Sequence, residues 1–242
     1  MLLRVLATLV ERLPLPHEPL LQLRGSAMNT TMMSIRGLLS IPVLLLACAF
    51  VPANGFADED ERATALFAGG CFWCVEEAFD AVDGVVATTS GFAGGHVENP
   101  SYERVVAGNT GHYESVLVEY DPTQVSYDEL LYVFWRNVDP LDGGGQFCDR
   151  GDHYRAAIFA GSEDEHRAAR ASKEELEESG RFEAPIATEI LDRSTFYPAE
   201  EYHQNYYQKN PLRYRFYVTS CRRYARLDQV WEMKPGRREG SK

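Results

Sequence analysis

The stretch Gly69-Gly70-Cys71-Phe72-Trp73-Cys74-Val75-Glu76 has the residue types and spacing for thiol chemistry. It follows the apolar run Leu66-Phe67-Ala68 and reads on into a helix. A thiol at a helix N-terminus sits in positive potential, which lowers its pKa and favours the nucleophilic thiolate. Two preceding glycines let the chain turn sharply and let a substrate approach the backbone. Phe72 and Trp73 give Cys71 its own apolar wall. Such a site suits a small apolar group that is sulfur-like or carbonyl-like.

The elements that must position this site are legible from periodicity. Residues 63–68 read as a strand and 71–81 as a helix, with Phe72, Val75, Phe79 and Val82 on one face. Residues 85–92 are β-branched and strand-like, and 94–102 carry loop residues. Residues 114–120 alternate as a strand, with Val116 and Val118 facing one way and Leu117 and Glu119 the other. Ser126 opens a helix with Glu129 three places on, a capping box. A glycine-rich loop spans 140–151, and strands are predicted over 154–159 and 186–191. Between those strands lies a charged helix from Ser162 to Ser179, read as a solvated face. Residues 196–211 read as aromatic and irregular. Mixed elements without regular βα alternation predict an α+β fold.

The chain has 242 residues, of which 45% are hydrophobic, and a net charge of −12. That balance argues against nucleic acid or anionic lipid bound through bulk charge. Residues 1–57 read as targeting rather than core. Met28, Met32 or Met33 is the expected true start, so 1–27 is expected to be a mis-called N-terminus. Arg36 precedes an uncharged apolar run from Gly37 to Val51, with small residues up to Ala57. This is the pattern of a secretory signal peptide cleaved near Ala57. Leu45-Leu46-Ala47-Cys48 also resembles a lipobox, which would anchor the protein through Cys48. Either route leads out of the cytoplasm, to the periplasm or beyond, where disulfides persist. The catalytic domain is expected over 58–232 and a disordered basic tail over 233–242.

Several segments together resemble the peptide-methionine (S)-S-oxide reductases, the A-type methionine sulfoxide reductases. They are Gly70-Cys71-Phe72-Trp73, Gly91-Phe92-Ala93-Gly94-Gly95, Asn99-Pro100-Ser101-Tyr102 and Gly108-Asn109-Thr110-Gly111-His112-Tyr113-Glu114. Asp121-Pro122, Phe134-Trp135, Asp139-Pro140, Asp149-Arg150-Gly151, Tyr154-Arg155, Phe196-Tyr197-Pro198-Ala199-Glu200 and His203-Gln204 follow in family order. The resemblance implies a two-layer α+β sandwich, ferredoxin-like, with helices packed on a mixed sheet. It implies that Cys71 attacks the sulfoxide sulfur and that Glu114 donates the proton the oxygen needs. Tyr102 and Tyr154 match phenols that hold the sulfoxide oxygen. Phe72 and Trp73 match a cage for the methyl group, Asp149 a loop aspartate that organises the site, and His203 a position behind it. The resemblance implies no metal and no organic cofactor. It implies an external thiol reductant such as a thioredoxin-like protein, substrates that are free or protein-bound methionine sulfoxide, and a monomer.

The sequence departs from the family's commonest pattern at recycling. Cys74 stands where glycine is usual, Phe92 where tyrosine is usual, and Cys221 lies outside any glycine-rich tail. After turnover Cys71 carries a sulfenic acid that a second thiol condenses into a disulfide. Cys74, Cys221 and Cys148 are the candidates. Cys74 lies one helical turn away, Cys221 could reach in on a mobile C-terminal segment, and Cys148 is near the site if Asp149 is. Cys74 or Cys221 is expected to receive the first disulfide, with Cys148 or Cys221 as relay. Cys148 and Cys221 also admit a structural disulfide. Taken alone, the C-x-x-C spacing admits half a zinc site or a thioredoxin-like oxidoreductase. An exported binding module using Phe72, Trp73 and the aromatic run 202–217 as a sticky surface is the non-enzyme alternative.

Overall fold

The computed structural model describes residues 62–232. The expected leader over 1–57, Cys48 with it, and the tail over 233–242 lie outside the described residues. The elements in chain order are β1 (Ala63–Gly69), α1 (Phe72–Asp80), β2 (Val85–Ala93), α2 (Tyr102–Val106), β3 (Tyr113–Tyr120) and α3 (Tyr127–Arg136). Then come a short hairpin of β4 (Gly145–Gln146) and β5 (Asp149–Arg150), followed by β6 (Ala156–Ala160), α4 (Glu163–Glu178), β7 (Glu189–Asp192) and β8 (Tyr197–Pro198). Three helices end the described residues: α5 (Tyr206–Lys209), α6 (Pro211–Ser220) and α7 (Arg223–Trp231).

Six strands form one sheet in the order β7-β6-β1-β3-β2-β8. Every pairing is antiparallel except β6 with β7, which α4 connects as a crossover. The sheet is therefore mixed, and the fold is α+β as the element pattern predicts. Alternation along β1 sends Ala65 and Phe67 to the main core and Leu66 and Ala68 to the other face. Phe67 stacks on Phe79 of α1 at 4.9 Å and on Phe134 of α3 at 5.3 Å, so one aromatic column locks both helices to the sheet. The Ser126 capping box is present as expected. On α4 only Ala169 is fully buried, which matches its reading as a solvated face.

Register explains why chemistry gathers at one sheet edge. Phe67 pairs with Val116, so two places further on the antiparallel pair brings Gly69 level with Glu114. The chain leaves β1 there and starts α1. Three expectations shift. The strand predicted from Tyr154 begins at Ala156, because Tyr154 closes a short 3-10 turn after Gly151 at φ +127°. The strand predicted over 186–191 is Glu189–Asp192. The irregular stretch 196–211 contains β8 and α5 joined by a tight 3-10 turn.

Candidate active site

Cys71 is the N-cap of α1 and is buried, as is Cys74 one turn on. Gly70 carries the turn at φ +84°, and a Cβ there would lie 2.5 Å from the Gln146 Cβ. Only glycine satisfies both the backbone and the space. The Phe72 backbone N–H donates to Glu114 Oε2 at 3.0 Å, which fixes the carboxyl against the helix start. Glu114 is fully buried, and burial pushes its pKa up to about 8. The Phe72 donation and the nearby Tyr154 hydroxyl pull the other way without reversing it. At neutral pH Glu114 is an acid with a proton to give.

Tyr102 opens α2, whose Ser101 cap accepts from Arg104 N, and Glu200 Oε1 accepts from Tyr102 N at 3.0 Å. Its hydroxyl and that of Tyr154 lie within hydrogen-bond reach of each other, and Tyr154 also reaches Glu114. Burial raises both phenols; Tyr102 reaches about 12, so both stay protonated. Asp149, on β5, accepts from the Tyr217 hydroxyl, which also reaches Cys71. Burial raises the Asp149 carboxyl, partly offset by Tyr217 and Arg223.

The apolar wall is built from distant segments. Phe72 lies 6.3 Å from Trp73, 6.0 Å from Phe92, 6.2 Å from Tyr102 and 5.1 Å from His203, ring to ring. Trp73 stacks on Tyr206 at 3.7 Å and donates from Nε1 to His203 Nδ1 at 3.2 Å. His203 Nδ1 is thus the acceptor, its proton sits on Nε2, and burial lowers its pKa. Two anchors hold this segment. Gln204 exchanges hydrogen bonds with the Ser90 backbone at 2.9 Å each, and the buried Glu76 carboxyl accepts from Asn205 N. His203 therefore touches the cage itself.

Every site residue expected from sequence converges here, but two expectations are corrected. The Cys71 thiol is raised well above its ordinary range, not lowered. Burial is the first cause, followed by its hydrogen bond to Cys74 and the charges of Cys74 and Glu114. Cys221 is not a free thiol able to reach in toward Cys71. It caps α6 at the turn into α7 and is disulfide-bonded to Cys148. Cys71 and Cys74 remain free thiols. Asp149 groups with the two disulfide sulfurs, and sulfurs bound to each other leave that grouping no thiolate for a metal.

Sequence reasoning missed Tyr206, Tyr214, Tyr217 and Arg223. The aromatic run that suggested a sticky surface is divided: Tyr214 and Val218 pack against Cys71 and Cys74, while Tyr202, Leu212 and Phe216 stay exposed. Arg223 had a signal: it shares one α7 face with Leu227 and Val230, all buried.

A buried thiol pair beside a protonated carboxyl, with a second cysteine pair joined as a disulfide, defines a thiol-dependent oxidoreductase on an α+β scaffold. The sequence profile of the family described as peptide methionine sulfoxide reductase matches residues 63–235, and the chain belongs to that family. It is 48% identical over 175 residues to peptide methionine sulfoxide reductase MsrA of Bacillus licheniformis, covering 72% of this chain and 97% of that one. It is 53% identical over 153 residues to the MsrA of Ligilactobacillus salivarius, covering 63% and 89%. Among solved structures it is similar to methionine sulfoxide reductase A of Corynebacterium diphtheriae, at 37% identity and TM-score 0.56 over 62% of this chain and 76% of that one. It is also similar to reduced Mxr1 of Saccharomyces cerevisiae, at 34% identity and TM-score 0.58 over 64% and 88%.

Proposed function

We propose that this enzyme reduces methionine-S-sulfoxide, free and in proteins, with Cys71 as nucleophile and Glu114 as acid. The observation that carries this is the Phe72 N–H to Glu114 contact of 3.0 Å, which sets a protonated buried carboxyl beside the Cys71 helix start. Cys71 sulfur attacks the sulfoxide sulfur while Glu114 gives its proton to the oxygen. The oxygen, now a hydroxyl, passes to the Cys71 sulfur as the methionine S–O bond and the transient S–S bond break, methionine leaves as the thioether, and Cys71 holds a sulfenic acid. Tyr102 and Tyr154 donate to the oxygen, and Phe72 and Trp73 enclose the methyl group. A shaped cage selects one epimer by clash with the other.

Cys74 is the resolving thiol in this reading. It is hydrogen-bonded to Cys71, whereas Cys148 and Cys221 are joined to each other. The outer pair then takes over the disulfide. Tyr217, which reaches Cys71, accepts the Cys221 backbone N–H one turn on in α6, so the two pairs are neighbours. Cys148 is exposed, and a groove of about 550 Å³ lined by Asp139, Phe147, Cys221 and Arg222 opens beside it. A thioredoxin-like protein is the reductant this exposure suits, and no other cofactor is called for.

The test is reduction of separated S and R epimers of a methionine sulfoxide derivative with dithiothreitol. Reduction of S alone, lost in Cys71→Ser, is expected. Reduction of a protein disulfide but of neither epimer would overturn the reading in favour of a thioredoxin-like oxidoreductase.

Export is part of the same proposal, supported by the apolar run from Gly37 to Val51. Sequencing the mature N-terminus should give a start near Asp58; a lipidated Cys48 gives the anchored form instead. An intact leader on protein recovered from the cytoplasm would remove the proposal.

A further inference from the structure

Helix α6 is apolar on two opposite faces. Tyr214 and Val218, four residues apart, are buried against Cys71 and Cys74. Leu212 and Phe216, also four apart, fall on the far side of the helix and are 81% and 75% exposed. They are the two most exposed large apolar side chains among the described residues. A helix face that meets only water is ordinarily polar.

Aromatic contacts join the exposed pair to the thiol site. A groove of about 560 Å³ is lined by Leu212, Arg213 and Phe216 of α6 together with Trp73, Tyr206 and Tyr217. The last three pack against the buried cluster of Cys71, Cys74, Tyr214 and Val218. Trp73 stacks on Tyr206 at 3.7 Å and meets Tyr217 edge-on at 6.0 Å. Tyr217 in turn donates to Asp149. Trp73 also stands beside Phe72 in the apolar cage, so groove and cage share a wall. Arg213, itself exposed, is the one charged residue of the lining.

We propose that this groove is a subsite for the residue next to methionine sulfoxide in a peptide, and that it takes an apolar side chain. This rests on the reading of the cage as the methionine sulfoxide site. Consecutive residues of an extended chain stand about 3.4 Å apart. The neighbour of a caged methionine therefore lies on the rim of the cage, where Trp73 passes into the groove. An apolar neighbour takes Leu212 and Phe216 out of water along with itself. Arg213 repels a lysine or arginine at the same place. Lys234, Arg237 and Arg238 make the chain's own C-terminal segment a poor occupant for that reason. The groove touches none of the bonds that change, so its contact is equal in the ground and transition states. It lowers KM and leaves kcat where it is. Methionines with apolar neighbours are core residues in folded proteins. The groove thus directs the enzyme to oxidised chains that have lost their packing.

The experiment compares two acetylated, amidated tripeptides, Ala-methionine-S-sulfoxide-Ala and Leu-methionine-S-sulfoxide-Leu, with dithiothreitol as reductant. KM is expected to be about tenfold lower for the leucine peptide at similar kcat. Leu212→Ser combined with Phe216→Ser should bring the KM ratio near one. Val86→Ser, at an exposed apolar position on β2, should leave the ratio at the parent value. Equal KM values in the parent, or an unmoved ratio in the double variant, overturns the inference. Calorimetry of both peptides on Cys71→Ser protein reads the same ratio as Kd, without turnover. If neither peptide is reduced, the reading of the activity fails, and the Kd ratio still decides the groove. A parent dimer that the double variant dissociates, with the peptide ratio unmoved, gives the face to a second copy and overturns the subsite.

Discussion

Replacing Glu114 by glutamine is expected to lower turnover by about 10²- to 10⁴-fold and, at the same time, to make the protein harder to unfold at neutral and alkaline pH. Both effects come from one buried carboxyl. Glutamine keeps the shape and still accepts from Phe72 N, but it has no acidic proton to give. Thiol titration should survive, since Cys71 and Cys74 are untouched. The stability gain follows from the pKa. Glu114 stands at about 8 in the folded chain against an ordinary 4.5. A value raised on folding means that its contribution is full below about 4.5 and is lost as pH rises through about 8. At pH 7 the difference is on the order of 3 kcal/mol, and glutamine removes it. Urea unfolding at pH 5, 7 and 8.5 measures this. Equal midpoints for parent and variant at all three pH values would mean that Glu114 is not held protonated. In the parent, turnover should fall above about pH 8 as the acid is lost.

Fully reduced protein given excess methionine sulfoxide and no reductant should release about two methionines per chain. The described residues hold four cysteines in two pairs, one free and buried, the other joined, with Cys148 exposed and Cys221 half-buried. If the inner disulfide passes to the outer pair, the inner thiols are restored for a second turnover. The structure holds that intermediate state, outer pair oxidised and inner pair reduced. Cys148→Ser should release about one methionine and Cys71→Ser none. One methionine from the parent would mean that the outer pair is a structural staple with no part in turnover.

The sequence carried the site's near side well and its far side poorly, for a physical reason. Cys71, Phe72 and Trp73 are placed by a local turn, whereas Glu114 stands out only through the family resemblance, because alternation alone puts it at a solvated strand end and the register that buries it is set by pairing. Local rules also yield the Ser126 cap and the solvated face of α4. Tyr206 and Tyr217 reach the site over separations above a hundred residues, and no periodicity reports such contacts; at Arg223 periodicity reports burial on α7 but not what the side chain meets. The Cys71 thiol was misjudged because the helix-start rule sees the dipole but not burial, Cys74 or Glu114. Arg223 reads as one of two surface arginines until α7 turns it inward.

The Cys148–Cys221 bond also ties catalysis to the mechanical integrity of the chain. It joins residues 73 positions apart. Closing a loop of that size restricts the unfolded chain by about 4 kcal/mol. If turnover passes its disulfide to this pair, the oxidised enzyme is the form more resistant to proteases and to hydrogen exchange, and the reduced enzyme the more vulnerable.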